Sequence, residues 1–161
     1  MSSSRTFRLA NLRRWRALPA IDRRRLIRAA LRLLAIDLRL RLRGFAAVES
    51  SFDRRSVRPG GAGESSIEPW VRSVDVAARH HLYPMHCVPR ALALRSLLAE
   101  EGIVTELRIG VRKEGDRLSA HAWVEHQGVP IGEPPAIGER FAPLTRADGG
   151  EGARAARGAF C

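Results

Sequence analysis

Residues 87–133, CVPRALALRSLLAEEGIVTELRIGVRKEGDRLSAHAWVEHQGVPIGE, change their periodicity halfway along. In the first half Leu92, Leu94, Leu97 and Leu98 supply the apolar side of a helix that opens at Cys87. Pro89 fits its first turn, where a missing N–H costs nothing, and Gly102 is a natural stop. From Ile103 the period becomes two. This predicts strands over 103–111, 118–125 and 129–132, with turns at 113–117 and 126–128. Pro130 makes the third strand an edge or an irregular one. A helix followed by hairpin-connected strands predicts an α+β fold with an antiparallel sheet.

Two residues of this stretch are placed for chemistry. A helix N-terminus favours the thiolate, the nucleophilic form of cysteine, through unpaired N–H groups and the helix dipole. Cys87 holds that position, although a free cysteine is also commonly a small buried residue. His121 lies on the second predicted strand, where it shares a face with Trp123 and Glu125. Ala120, Ala122 and Val124 form the other face, small enough to pack against a helix. A strand beside the helix start would bring the imidazole to the thiol as a general base.

Glu133 enters through register. A three-residue turn, His126 to Gly128, pairs Glu125 with Val129 and sets His121 opposite Glu133 on one face. There the carboxylate would orient the imidazole, whereas a two-residue turn would place Glu133 on the wrong face. Cys87, His121 and Glu133 together form a papain-type nucleophile set; the alternative for Glu133 is a surface residue beside GEPP.

Upstream, residues 20–43 predict a helix of about six turns, following Pro19 and ending at Gly44. Ile21, Leu26, Ile27, Ala30, Leu31, Leu34, Leu38 and Leu42 form an apolar stripe, widened by Leu33 and Leu40. The stripe is expected to cover the core and leave a solvated arginine face, the alternative being a docking surface for a partner or a membrane. Residues 50–66 read as a loop. A further helix follows from Pro69 to His80, with Trp70, Val71, Val74, Val76 and Ala77 inward, halted at Tyr83-Pro84. Residues 147–159 read as a disordered tail. The expected organisation is an arginine-rich helical region over 1–58, a catalytic core over 59–146 and a tail over 147–161.

With 161 residues, 45% of them hydrophobic, the chain suffices for one domain with a real core. Two cysteines make no disulfide framework, and the N-terminus lacks a signal-peptide pattern. In residues 26–43 arginines interrupt the leucines every few positions, which argues against a membrane span. These features predict a cytoplasmic protein. Of the net charge of +11, residues 1–58 carry +12, from 16 arginines against four acids. That segment lacks the interleaved aromatics of a single-strand binder and matches no DNA-binding motif, so no nucleic-acid partner is expected. His80, His81, His86 and Cys87 follow no zinc spacing. No glycine-rich phosphate loop or serine nucleophile elbow occurs, so no cofactor is expected.

The stretch quoted above resembles the B proteins of lasso peptide biosynthesis, the transglutaminase-like leader peptidases. The features shared are a Cys before an ALAL helix, then GI, LRIGV and AHAWVE, with an acid a dozen residues past the His. The likeness covers roughly residues 70–145, including FAPL at 141–144. It implies a papain/transglutaminase-like cysteine protease fold and removal of the leader from a ribosomally made precursor peptide. Cys87 would attack, His121 would carry the proton, and Glu133 would stand where the family usually has Asp. Residues 1–58 read without the strands of a winged-helix-like recognition module. The resemblance is therefore to the split form of the enzyme, whose partners are the precursor peptide, a separate leader-recognition protein and the lasso cyclase. Two other readings stand beside it: a transglutaminase-like acyl transferase with the same triad, and a non-catalytic scaffold working through its basic helix.

Overall fold

The structure, a computed structural model, describes residues 17–53, 63–81, 84–115 and 117–143. The tail expected over 147–159, Tyr83 and the expected boundary at residue 58 lie outside the described residues.

Helix α1 (Ala20–Arg43) begins after Pro19 and ends at Gly44, whose φ of 75° suits only glycine at low cost. It buries Ala29, Leu33 and Ile36 against the rest of the molecule, with Leu40 partly buried beside them. The inward face is thus not the expected stripe: Ile21, Ile27, Leu31, Leu34, Leu38 and Leu42 point to solvent. The reason lies in the arginines. Arg28 and Arg32 both bond Glu100, Arg32 also reaches Ser96, and the Arg28 guanidinium lies 4.9 Å from the Trp70 ring centroid. Part of the arginine face is therefore an interhelical clamp, not a solvated surface.

Helix α2 (Phe45–Asp53) extends into residues expected to be loop. Val48 is buried and Phe45 and Phe52 pack on the core. Ser50 and Ser51 donate to the carbonyls of Ala47 and Val48, so their hydroxyls are satisfied along the helix. After a 3-10 turn at Gly63–Ser66, helix α3 (Ile67–Arg79) starts two residues before Pro69 and buries Trp70, Val74 and Ala77.

Helix α4 (Cys87–Glu100) is the axis of the fold, with α1 and α3 packed on one side and the sheet on the other. Leu92, Ala93, Leu97 and Leu98 are wholly buried. Such all-round apolarity, beyond the single face expected, belongs to a helix enclosed by neighbours.

The antiparallel sheet comprises β1 (Glu106–Glu114), β2 (Arg117–His126), β3 (Val129–Ile131) and β4 (Ala142–Pro143), in the order β3-β2-β1-β4. Ala120, Ala122 and Val124 are buried, the latter two in the core around α4, as the alternation on β2 predicts. On the opposite face Trp123 forms a second cluster with Ile137 and Phe141. These come from α5 (Ile137–Arg140) and the residue that leads into β4, an element the sequence reading lacked. The architecture is α+β, as expected.

Candidate active site

Cys87 is the first residue of α4, and His86 before it has extended backbone (φ −69°, ψ 166°) and makes no side-chain cap. Pro89 contributes no N–H to this first turn, and the Arg90 N–H donates to the His86 carbonyl at 3.4 Å. The backbone donors that precede the regular helical bonds are those of Cys87 and Val88. The Cys87 side chain is buried, 5% exposed, at one wall of a cleft enclosing about 420 Å³ of empty space, part of it open solvent. His121 and Glu133 line the same cleft, so the structure brings the three sequence-predicted residues to one site.

His121 sits on β2, paired with Gly110 of β1. Its Nε2 is 2.9 Å from Glu133 Oε1. The carboxylate accepts from that nitrogen, which assigns the proton to Nε2 and leaves Nδ1 as the acceptor nitrogen of the ring.

The contact arises differently from the register expected. The turn between β2 and β3 has two residues, Gln127 and Gly128, both at positive φ, and His126 pairs with Val129. Continued straight, that register would turn Glu133 away from His121. The strand instead ends at Ile131, and Gly132, at φ 70°, redirects the chain so that Glu133 reaches the imidazole. A Cβ at Gly132 would lie 2.9 Å from Val71 Cγ1, so α3 also demands glycine there. The expected contact between Glu133 and His121 is present, but by a different register from the one expected.

Two aromatic rings pack beside the histidine. The His121 ring centroid lies 5.3 Å from Phe141 and 6.2 Å from Trp123. Trp123 Nε1 donates to Glu125 Oε1 at 2.9 Å, and Arg108 donates to the other oxygen at 2.8 Å. This bond and the charge of Glu125, with Glu106 beside it, hold Arg108 above its ordinary pKa. Gly110 is the counterpart across the strand: a Cβ there would come within 2.7 Å of Phe141 Cβ and 3.0 Å of Trp123. Sequence reasoning missed Gly110, Gly132 and Phe141 as site residues. A glycine inside a strand pattern is the signal that marks close approach, and Gly110 carries it.

Asp75 and Arg90, ion-paired, line the cleft as well. His80, His81 and His86 are not among the residues lining it. Among the described residues no group of three His, Cys, Asp or Glu side chains is arranged to hold a metal ion.

A helix-borne cysteine, a strand-borne histidine and an acid bonded to that histidine are the arrangement of thiol acyl chemistry. The family model of the transglutaminase-like superfamily matches residues 30–146. The chain belongs to the transglutaminase-like superfamily. No curated protein and no solved structure matches the chain. The superfamily includes cysteine peptidases and acyltransferases, built on a cysteine-protease-like catalytic fold. For this transglutaminase-like chain the match begins within α1, so the second part of that helix, residues 30–43, lies inside the family region and its first ten residues precede it.

Proposed function

We propose that the protein is a cysteine peptidase that cleaves the leader from a ribosomally synthesised lasso precursor peptide before macrocyclisation. The observation that carries this reading is the 2.9 Å bond between His121 and Glu133 in the cleft that Cys87 lines. Superfamily membership and the likeness of residues 70–145 to the leader peptidases support it.

In the proposed reaction the Cys87 Sγ attacks the scissile carbonyl carbon and its proton passes to His121 Nδ1. The N–H groups of Cys87 and Val88 stabilise the oxyanion at the helix start. As the C–N bond breaks, His121 protonates the leaving amine, and a thioester remains on Cys87. Water then attacks the thioester, His121 takes its proton, and the thiol is restored. Glu133 keeps the imidazole in the required tautomer and stabilises the imidazolium as it forms. No cofactor enters any step.

The reading places the enzyme in the cytoplasm; among the described residues no helix is long and apolar enough to cross a membrane. Its proposed partners are the precursor peptide, a separate leader-recognition protein and the lasso cyclase.

Mass spectrometry of the cognate precursor incubated with this protein and the recognition protein tests it, comparing wild type with Cys87→Ala. A free leader and a core peptide heavier by one water in total, formed by wild type alone, are expected. A product joined to an added amine would assign acyl transfer instead. An intact precursor with both proteins, despite demonstrated leader binding, would refute the reading.

A further inference from the structure

Of the six exposed large apolar side chains of α1, five line up along one side: Ile27, Leu31, Leu34, Leu38 and Leu42 are each between 45% and 75% exposed. Their spacing of four, three, four and four residues confines them to an arc of about 80° and a length of about 22 Å on a regular helix. Single exposed leucines need no explanation, but a contiguous seam does. A narrow stripe at this spacing is the pattern that accepts the knobs of a facing helix. A helix lying in a lipid interface has a wider apolar face, commonly with aromatic residues, and this seam contains none.

Charge selects among possible occupants. Arg24 continues the stripe one turn earlier, and Arg39 and Arg43 run along one side of it. These three have no acidic partner among the described residues. The two acids of α1 are already paired, Asp22 with Arg25 and Asp37 with Arg41. A second copy of the chain would therefore set arginine against arginine. Residues 1–16 hold five arginines and no acid, so the same repulsion applies to them.

We propose that the outer face of α1 is a docking seam for a partner protein that presents an acidic amphipathic helix. Its apolar residues would interleave with Leu31, Leu34 and Leu38, and its flanking carboxylates would meet Arg24, Arg39 and Arg43. The seam lies on the side of α1 away from α3 and α4, so occupation leaves the cleft open. The inference stands independently of the reaction proposed above.

The test uses the full chain and three labelled synthetic helices of about four heptads each. The first has leucine at the core positions and glutamate at the flanks. The second keeps the glutamates and replaces the leucines with glutamine, and the third keeps the leucines and carries lysine flanks. Fluorescence anisotropy should show the first binding at least about tenfold tighter than either control. Leu31→Gln with Leu38→Gln, and separately Arg24→Glu with Arg39→Glu, should each weaken it by a similar factor, with unchanged circular dichroism and melting temperature. Equal binding of the first two peptides would reduce the effect to charge and overturn the proposal, as would no binding at all. Adsorption to phosphatidylglycerol vesicles without peptide binding would assign the face to a membrane. A dimer in sedimentation that the leucine substitutions dissolve would assign it to a second copy.

Discussion

Glu133 touches His121 through one hydrogen bond, so substitutions there separate orientation from folding. Glu133→Gln should leave the fold intact and lower turnover by roughly 10²- to 10⁴-fold, because the amide no longer fixes the tautomer or stabilises the imidazolium. Cleavage rates measured beside melting curves check this; a variant of wild-type activity would remove Glu133 from the mechanism. Gly132 stands one residue earlier, with a positive φ and with Val71 in the space that a Cβ would occupy. Gly132→Ala should cost about 1–2 kcal/mol from the left-handed backbone alone, and more from the clash. Val71→Ala on that background should relieve only the steric share, which denaturant titration would resolve. The contact between Glu133 and His121 was legible in the sequence, but its route was not. A two- or three-residue turn after β2 fits the same letters, and only the break at Gly132 makes the shorter turn compatible with the contact.

Among the elements, α1 shows where periodicity stops being informative. The helix carries two apolar rows: Ala29, Leu33, Ile36 and Leu40 on one side, and Ile27, Leu31, Leu34, Leu38 and Leu42 on the other. The second row is richer in large residues, and a count by period selects it. The outcome depends on Trp70, Ser96 and Glu100, which lie far along the chain and meet Arg28 and Arg32. The β-hairpin was far more legible, because the alternation over 118–125 has one face of small residues and one that carries His121, Trp123 and Glu125.

The 3-10 turn and the hairpin are joined by His126, which contacts the Val104 carbonyl at 2.7 Å and Glu64 at 3.1 Å. The carbonyl contact, then Glu64, raise the His126 pKa above its ordinary value, against a smaller effect of burial. A raised folded-state pKa contributes stability below the unfolded value of about 6.5 and loses it as pH climbs through the folded value. Glu64→Gln should therefore lower the melting temperature near pH 6, where the carboxylate is ionised and the imidazole charged, and hardly at all near pH 8.5. Melting curves at the two pH values check the sign; an equal loss at both would contradict it.

At the scale of the whole molecule, the larger core among the described residues joins α1, α3, α4 and the sheet, and the catalytic candidates line a cleft beside it. Leu33 of α1 is wholly buried in that core. Leu33→Ala should destabilise the protein by about 2–5 kcal/mol, while Leu31→Ala, on the solvent side, should change it little in the absence of a partner. Denaturant unfolding of both variants would show whether α1 supports the core as its packing requires.

We propose that Cys87 is a nucleophile served by His121 and not a buried structural thiol. Alkylation of Cys87 by iodoacetamide near pH 6, followed by peptide mass spectrometry, tests it without knowledge of the substrate. An ordinary thiol titrates near ~8.5 and reacts slowly there. Cys87 should react faster than free cysteine, and His121→Ala should abolish the advantage. A Cys87 slower than free cysteine, and unaffected by loss of His121, would contradict it.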